Sequence, residues 1–129
     1  MTRYALGVLV VLVVVLGNSY VVGEFDWYEA YSQITAGLLH DLAVWFVACF
    51  MGGFIARRGF MIAAAVLSSL TVLAWIDLMN RFVFSITVPA DPATWHLVGI
   101  VVAAVGGAVI GEATGRFREP RRYSLSDVA

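Results

Sequence analysis

Long apolar runs separated by short polar segments dominate the chain. Each run approaches or exceeds the roughly 20 helical residues that cross a hydrocarbon core of about 30 Å. None shows the strict alternation typical of barrel strands. We therefore predict an all-α membrane protein in which four transmembrane helices form an antiparallel bundle. The expected helices, within one domain covering 1–129, lie at about 4–22, 30–56, 60–81 and 95–116.

Two predicted connections shape this bundle. Residues 56–59 read Ala-Arg-Arg-Gly and leave space only for a tight turn, so the second and third helices should be antiparallel neighbours. Residues 89–92 read Pro-Ala-Asp-Pro, which favours a turn, and Thr94 then suits the N-cap of the fourth helix. Beyond Pro120, we expect residues 120–129 to form a flexible tail.

Composition supports the membrane class. Hydrophobic residues make up 61% of the chain and charged residues 13%, against about 25% charged in a typical soluble domain. With one cysteine, Cys49, the chain has no intrachain disulfide. The first apolar run follows Arg3 and also resembles a signal peptide, but no clear small-x-small cleavage site follows it, which favours a retained helix.

The arginines predict the orientation. All eight basic residues are arginine, and only Arg81 falls on the predicted outer side. Positive charge favours the cytoplasmic side, so both termini should be cytoplasmic in an inner or plasma membrane. The tail arginines are few and mixed with acids, which favours contact with the lipid bilayer over nucleic acid. The seven predicted inner arginines are Arg3, Arg57, Arg58, Arg116, Arg118, Arg121 and Arg122.

The predicted fourth helix carries small residues every four positions. This spacing places them on one face, where a neighbouring helix can approach closely. The face predicts either tight packing within one bundle or a seam between copies in a homo-oligomer or larger membrane complex. Its members are Ala103, Gly107, Gly111 and Gly115.

Polar residues from several helices are predicted to meet near the outer side. Ionisable groups at membrane depth usually face protein or water. Three interpretations remain open: a structural set with an Asp77–Arg81 ion pair, a proton or ion site, or a divalent-metal site, for which no recognised ligand spacing exists. The candidate residues are His40, Asp41, Asp77, Asn80, Arg81 and His96.

One acidic residue lies near the predicted inner end of the fourth helix. Glu112 precedes Arg116 by four residues, a spacing that allows an ion pair. Arg57, in the turn between the second and third helices, could also reach this carboxylate. An exchangeable glutamate of a proton-coupled exporter is the competing interpretation, although such groups lie closer to mid-span. We expect an inner salt bridge.

No enzyme motif supports catalysis. The fourth-helix glycines lack the following Lys-Ser/Thr of a phosphate loop, and GxSxG is absent. We expect no cofactor, although haem ligation by His40 and His96 is conceivable. The expected function is a non-enzymatic membrane subunit or scaffold that packs or oligomerises through the fourth helix. The alternative is a small proton- or ion-coupled transporter or channel that uses the outer polar residues.

Overall fold

The computed structural model describes residues 2–24, 34–82 and 90–117. Apart from the short connection at 57–59, these residues are α-helical, which confirms the all-α prediction. The helices are α1, Thr2–Glu24; α2, Ile34–Ala56; α3, Phe60–Phe82; and α4, Ala90–Phe117.

The predicted boundaries agree within two residues for α1 and α3 and at the end of α2. The prediction for the start of α4 is wrong: the helix begins at Ala90 and includes both Pro92 and Thr94. Proline is tolerated there because first-turn N–H groups have no partner within the helix. The predicted α2 residues 30–33 and the tail 120–129 lie outside the described residues.

Three helices are long and apolar enough to cross a membrane, through spans at Thr2–Val21, Leu39–Ala56 and Leu97–Phe117. In α3 the apolar stretch is shorter, Phe60–Ala74. The expected fourth span is therefore not established by length and composition. Large apolar side chains are exposed on all four helices, for example Leu9, Val47, Val66 and Val102. Such a surface suits lipid rather than water.

The helices contact one another in the order α1, α2, α4, α3. The contact between α2 and α4 is the most extensive, whereas α2 and α3 touch only slightly despite their short connection. The predicted pairing of α2 with α3 as close neighbours is therefore wrong for most of their length. Because α4 packs against both helices, it replaces the direct α2–α3 contact.

The core is built mainly from small side chains. Ala48, Cys49, Ala104 and Ala108 are fully buried, and Phe60 is the largest side chain that is fully buried. Small side chains allow helices to approach closely, which matters in lipid because helix association depends on packing rather than on the exclusion of water. The fold therefore depends on how near the backbones come.

Candidate functional site

Glycines of α4 bring its backbone against the backbone of α2. A Cβ atom added at Gly115 would lie 2.6 Å from the carbonyl oxygen of Phe54, closer than real Cβ contacts permit. Gly107 and Gly111 meet backbone carbonyls of α2 in the same way, and even more closely. We call this contact the α2–α4 seam; its pairs are Gly107 with Phe46, Gly111 with Phe50, and Gly115 with Phe54.

The pairs also define the direction of the two helices. Residue numbers rise together along the seam, from Phe46 and Gly107 at one end to Phe54 and Gly115 at the other. Therefore α2 and α4 are parallel. In a four-helix bundle of alternating direction, the second and fourth helices lie on a diagonal, so the glycines draw a diagonal pair into the closest contact.

Other small residues show which faces of α2 and α4 take part. Gly53 of α2 meets the carbonyl of Ala108, so the close approach is reciprocal. Ala103 is half-buried. Gly106, the residue before Gly107, has no atom within 4 Å of an added Cβ atom, so it lies on an open face.

The aromatic ring of Phe60, from α3, packs beside the contact between α1 and α2. A Cβ atom added at Gly7 would lie 2.7 Å from the Gly52 carbonyl oxygen and 3.1 Å from the Phe60 ring. The ring of Tyr4 contacts that of Phe60 edge-on at 5.8 Å between centroids. Sequence reasoning missed this contact, and its only signal was the isolated Gly7 within an apolar run.

Glu112 joins α4 to the start of α3. Its carboxylate oxygen Oε1 accepts hydrogen bonds from the backbone N–H groups of Phe60, at 2.5 Å, and Met61, at 3.1 Å. The side chain is about 10% exposed. First-turn N–H groups of a helix lack intrahelical acceptors, so this carboxylate satisfies two of the four in α3.

Arg116 links the same carboxylate to the turn that precedes α3. Its Nη2 donates to Glu112 Oε2 at 2.8 Å, and its Nε donates to the Arg57 carbonyl oxygen at 2.8 Å. We call this set of contacts the turn junction: Glu112, Arg116, the Phe60 and Met61 amides and the Arg57 carbonyl. The structure thus brings together the three residues of the predicted inner salt bridge, with Arg57 contributing its main chain.

The turn itself requires an unusual backbone. Arg57 has a φ angle of 65°, and its N–H donates to the Gly53 carbonyl oxygen at 2.8 Å, which closes the end of α2. Gly59 follows with a φ angle of 71°. A positive φ angle is uncommon for residues other than glycine. The hydrogen bond from Arg116 to the Arg57 carbonyl oxygen helps to hold Arg57 in this conformation.

The predicted outer residues lie toward the other end of the helices. His40 Nδ1 and Asp41 Oδ1 are 3.6 Å apart, and each side chain is about one-third exposed, at 34% and 35%. Both belong to the first turn of the apolar span Leu39–Ala56. Asp77 is exposed. The side chains of Asn80, Arg81 and His96 lie outside the described residues, so the predicted meeting of all six remains a prediction.

Among the side chains that the structure describes, no three histidine, cysteine or acidic groups are placed to hold a metal ion. His40 and Asp41 are adjacent along the chain, so their proximity follows from sequence. The contacts of Glu112 with the α3 amides do not. Sequence reasoning missed them because it considered only charged partners for this carboxylate.

Comparisons of the chain with protein-family models, with curated proteins and with solved structures found no match.

Proposed function

We propose that this protein is a non-enzymatic membrane subunit or scaffold with four membrane-spanning helices and both termini in the cytoplasm. The orientation rests on the arginines, seven of which fall on one predicted side. In this proposal α3 also crosses the membrane, although its apolar stretch ends at Ala74. The polar last turns of α3 would then lie among the outer headgroups. The membrane would be the inner or plasma membrane.

The α2–α4 seam carries this proposal. The backbones of α2 and α4 touch at three successive turns, and the Glu112 carboxylate joins α4 to the start of α3. These contacts favour a rigid bundle over one with a wide internal channel. Its outer surface presents large apolar side chains from every helix. A stiff unit with apolar walls suits a protein that holds other membrane helices in place.

We propose that self-association uses an outward face rather than the glycine face. In the described chain, Gly107, Gly111 and Gly115 are occupied by α2. A second copy could reach them only by displacing α2. The contact between copies therefore belongs to exposed residues such as Leu9 on α1, Val66 on α3 or Val102 on α4.

Disulfide cross-linking in native membranes tests this proposal. Cys49, the only native cysteine, is replaced by alanine, and one cysteine is introduced at Leu9, Val47, Val66 or Val102. We expect the cysteine on one helix to give a much higher yield of disulfide-linked dimer than the cysteines on the other three. The matched control is a cysteine at Ala104, which is fully buried and should not cross-link between copies.

Equal cross-linking from all four faces would indicate random collision and contradict a specific association. A detergent-solubilised mass equal to one chain, together with absence from any larger complex in native gels, would also overturn the scaffold proposal.

A small transporter or channel is the second candidate, favoured by one observation. His40 and Asp41 form a close ionisable pair at the end of an apolar span. Ionisable groups in such spans cost free energy to insert and often mark proton or ion pathways. If they carry protons or cations, liposomes containing the protein should show gradient-driven flux that Asp41→Asn abolishes. Absence of flux under proton, sodium and potassium gradients would remove this candidate.

A further inference from the structure

A shallow groove lies beside the turn junction, between the start of α3 and the end of α4. Its volume is about 290 Å³, just below the range of about 300–1,000 Å³ that is usual for ligand pockets. The walls are mostly apolar. The lining residues are Gly59, Met61, Ile62, Val109, Glu112, Ala113 and Arg116.

The charge around this groove is positive. Arg116 lines it with a side chain that is 54% exposed. Arg58, next to the lining residue Gly59, is also exposed. The one acid in the lining, Glu112, is buried, and both of its oxygens accept hydrogen bonds, from the Phe60 and Met61 amides and from Arg116. The charges of Glu112 and Arg116 thus offset each other, and the net positive charge beside the groove comes from Arg58.

The apolar and charged parts match one kind of molecule. Met61, Ile62 and Val109 have exposed apolar side chains, against which an acyl chain would lie in a bilayer. Arg116 lies on α4 seven residues beyond Val109, or roughly 10 Å along the axis at helical rise, and Arg58 lies in the turn before α3. A phospholipid has this layout: an acyl chain, then a phosphate at the level of the membrane interface.

We propose that this groove is a binding site for one anionic phospholipid, with an acyl chain against Met61, Ile62, Val109 and Ala113 and the headgroup phosphate beside Arg116 and Arg58. Basic pockets between membrane helices on the cytoplasmic side are suited to anionic headgroups. The site is distinct from the proposed contact between copies, and its occupation does not depend on that contact.

Native mass spectrometry of the full chain tests this site. The protein is released from nanodiscs that contain equal amounts of phosphatidylglycerol and phosphatidylcholine. We expect one retained phosphatidylglycerol per chain. Among the basic residues that the structure describes at the groove, Arg58 is the one without a paired acid in its lining, so the preference over phosphatidylcholine should be on the order of fivefold. Excess inorganic phosphate should not displace the lipid, because phosphate alone cannot occupy the apolar walls.

Two pairs of variants separate a site from general attraction. Ala113→Trp fills the groove from an exposed position and should abolish retention, whereas Val102→Trp, exposed on the same helix but outside the groove, should preserve it. Arg58→Gln should lower the preference about fivefold, whereas Arg3→Gln, on α1, should change it little.

Retention that survives Ala113→Trp would overturn the proposal. So would equal losses from Arg58→Gln and Arg3→Gln, because they would indicate diffuse attraction to an anionic surface. Displacement by inorganic phosphate would show an anion site without a lipid chain and would also contradict it. Circular dichroism of each variant confirms that its helices are intact.

Discussion

The α2–α4 seam and the α1–α2 contact reach close approach by different means. The seam repeats a glycine at three successive turns of α4, so two backbones touch along their length. The α1–α2 contact relies on Gly7 and Gly52 at one level, with the Phe60 ring inserted beside them. The α4 span, which packs against both α2 and α3, is 33% buried, whereas the α1 span is 11% buried.

Glycines at one level let α1 and α2 come closest at one place, whereas glycines at successive turns let α2 and α4 come close along their length. In lipid, where packing drives association, the longer contact should contribute more. We therefore expect α4 to be anchored most firmly and α1 to be the helix that separates first. Substitutions at Gly111 and Gly7, each with a control glycine on the same helix, test this order, and two further substitutions test the contacts around them.

Gly111→Leu should have the largest effect. Its side chain would enter the space of the Phe50 carbonyl, and the backbone of α2 cannot yield without breaking the seam. We expect a loss of about 3 kcal/mol or more in the free energy of unfolding, measured by denaturant titration in mixed micelles. Gly106→Leu, on the open face of the same helix, should be neutral or gain up to about 1 kcal/mol from helix propensity. Equal effects would refute the seam.

Glu112→Ala should be next. It removes a buried acceptor from two amides of α3 and leaves Arg116 without its carboxylate. We expect a loss of about 2–3 kcal/mol in the same titration. Glu112→Gln keeps an oxygen for the amides and should lose less than the alanine variant. If both variants matched the wild type, the turn junction would have no part in stability.

Gly7→Ala should cost about 1–2 kcal/mol, because the new methyl group would press on the Gly52 carbonyl and the Phe60 ring. Gly17→Ala is the control on the same helix: nothing lies within 4 Å of its added Cβ atom. It should be neutral or gain up to about 1 kcal/mol from helix propensity. A larger loss at Gly17 than at Gly7 would contradict the proposed contact of α1.

Ser68→Ala should have the smallest effect, even though Ser68 is fully buried. Its hydroxyl donates to carbonyls of its own helix, Ala64 at 2.8 Å and Ala65 at 3.1 Å. Those carbonyls keep their helical hydrogen bonds when the hydroxyl is removed. We expect a change below about 0.5 kcal/mol. A loss above 2 kcal/mol would indicate a role between helices.

The glycine repeat could be predicted to form a packing face because four-residue spacing aligns positions on any helix. It could not identify the partner, since small residues reveal how closely a helix approaches but not which helix approaches. The short turn at 56–59 suggested α3 as the neighbour of α2. The structure instead places α4 against α2, through contacts between residues about 60 positions apart along the chain.

In the candidate site, too, the sequence predicted the local contact but not the long-range ones. The Glu112–Arg116 pair followed from local spacing and is present at 2.8 Å. The bonds from Glu112 to the α3 amides depend on where α3 begins relative to α4, which local spacing does not determine. Pro92 predicted a turn because proline disfavours a helix interior, but the structure places it in the first turn of α4, where proline is tolerated.

The central claim is that α2 and α4 are parallel and touch through their backbones. Nuclear Overhauser contacts between α-protons, measured on the full chain in nanodiscs, test it most directly. We expect contacts from Gly107 to Phe46, from Gly111 to Phe50 and from Gly115 to Phe54, rising together along both helices. Contacts in the opposite order, or a Gly111 that contacts only lipid, would contradict the account.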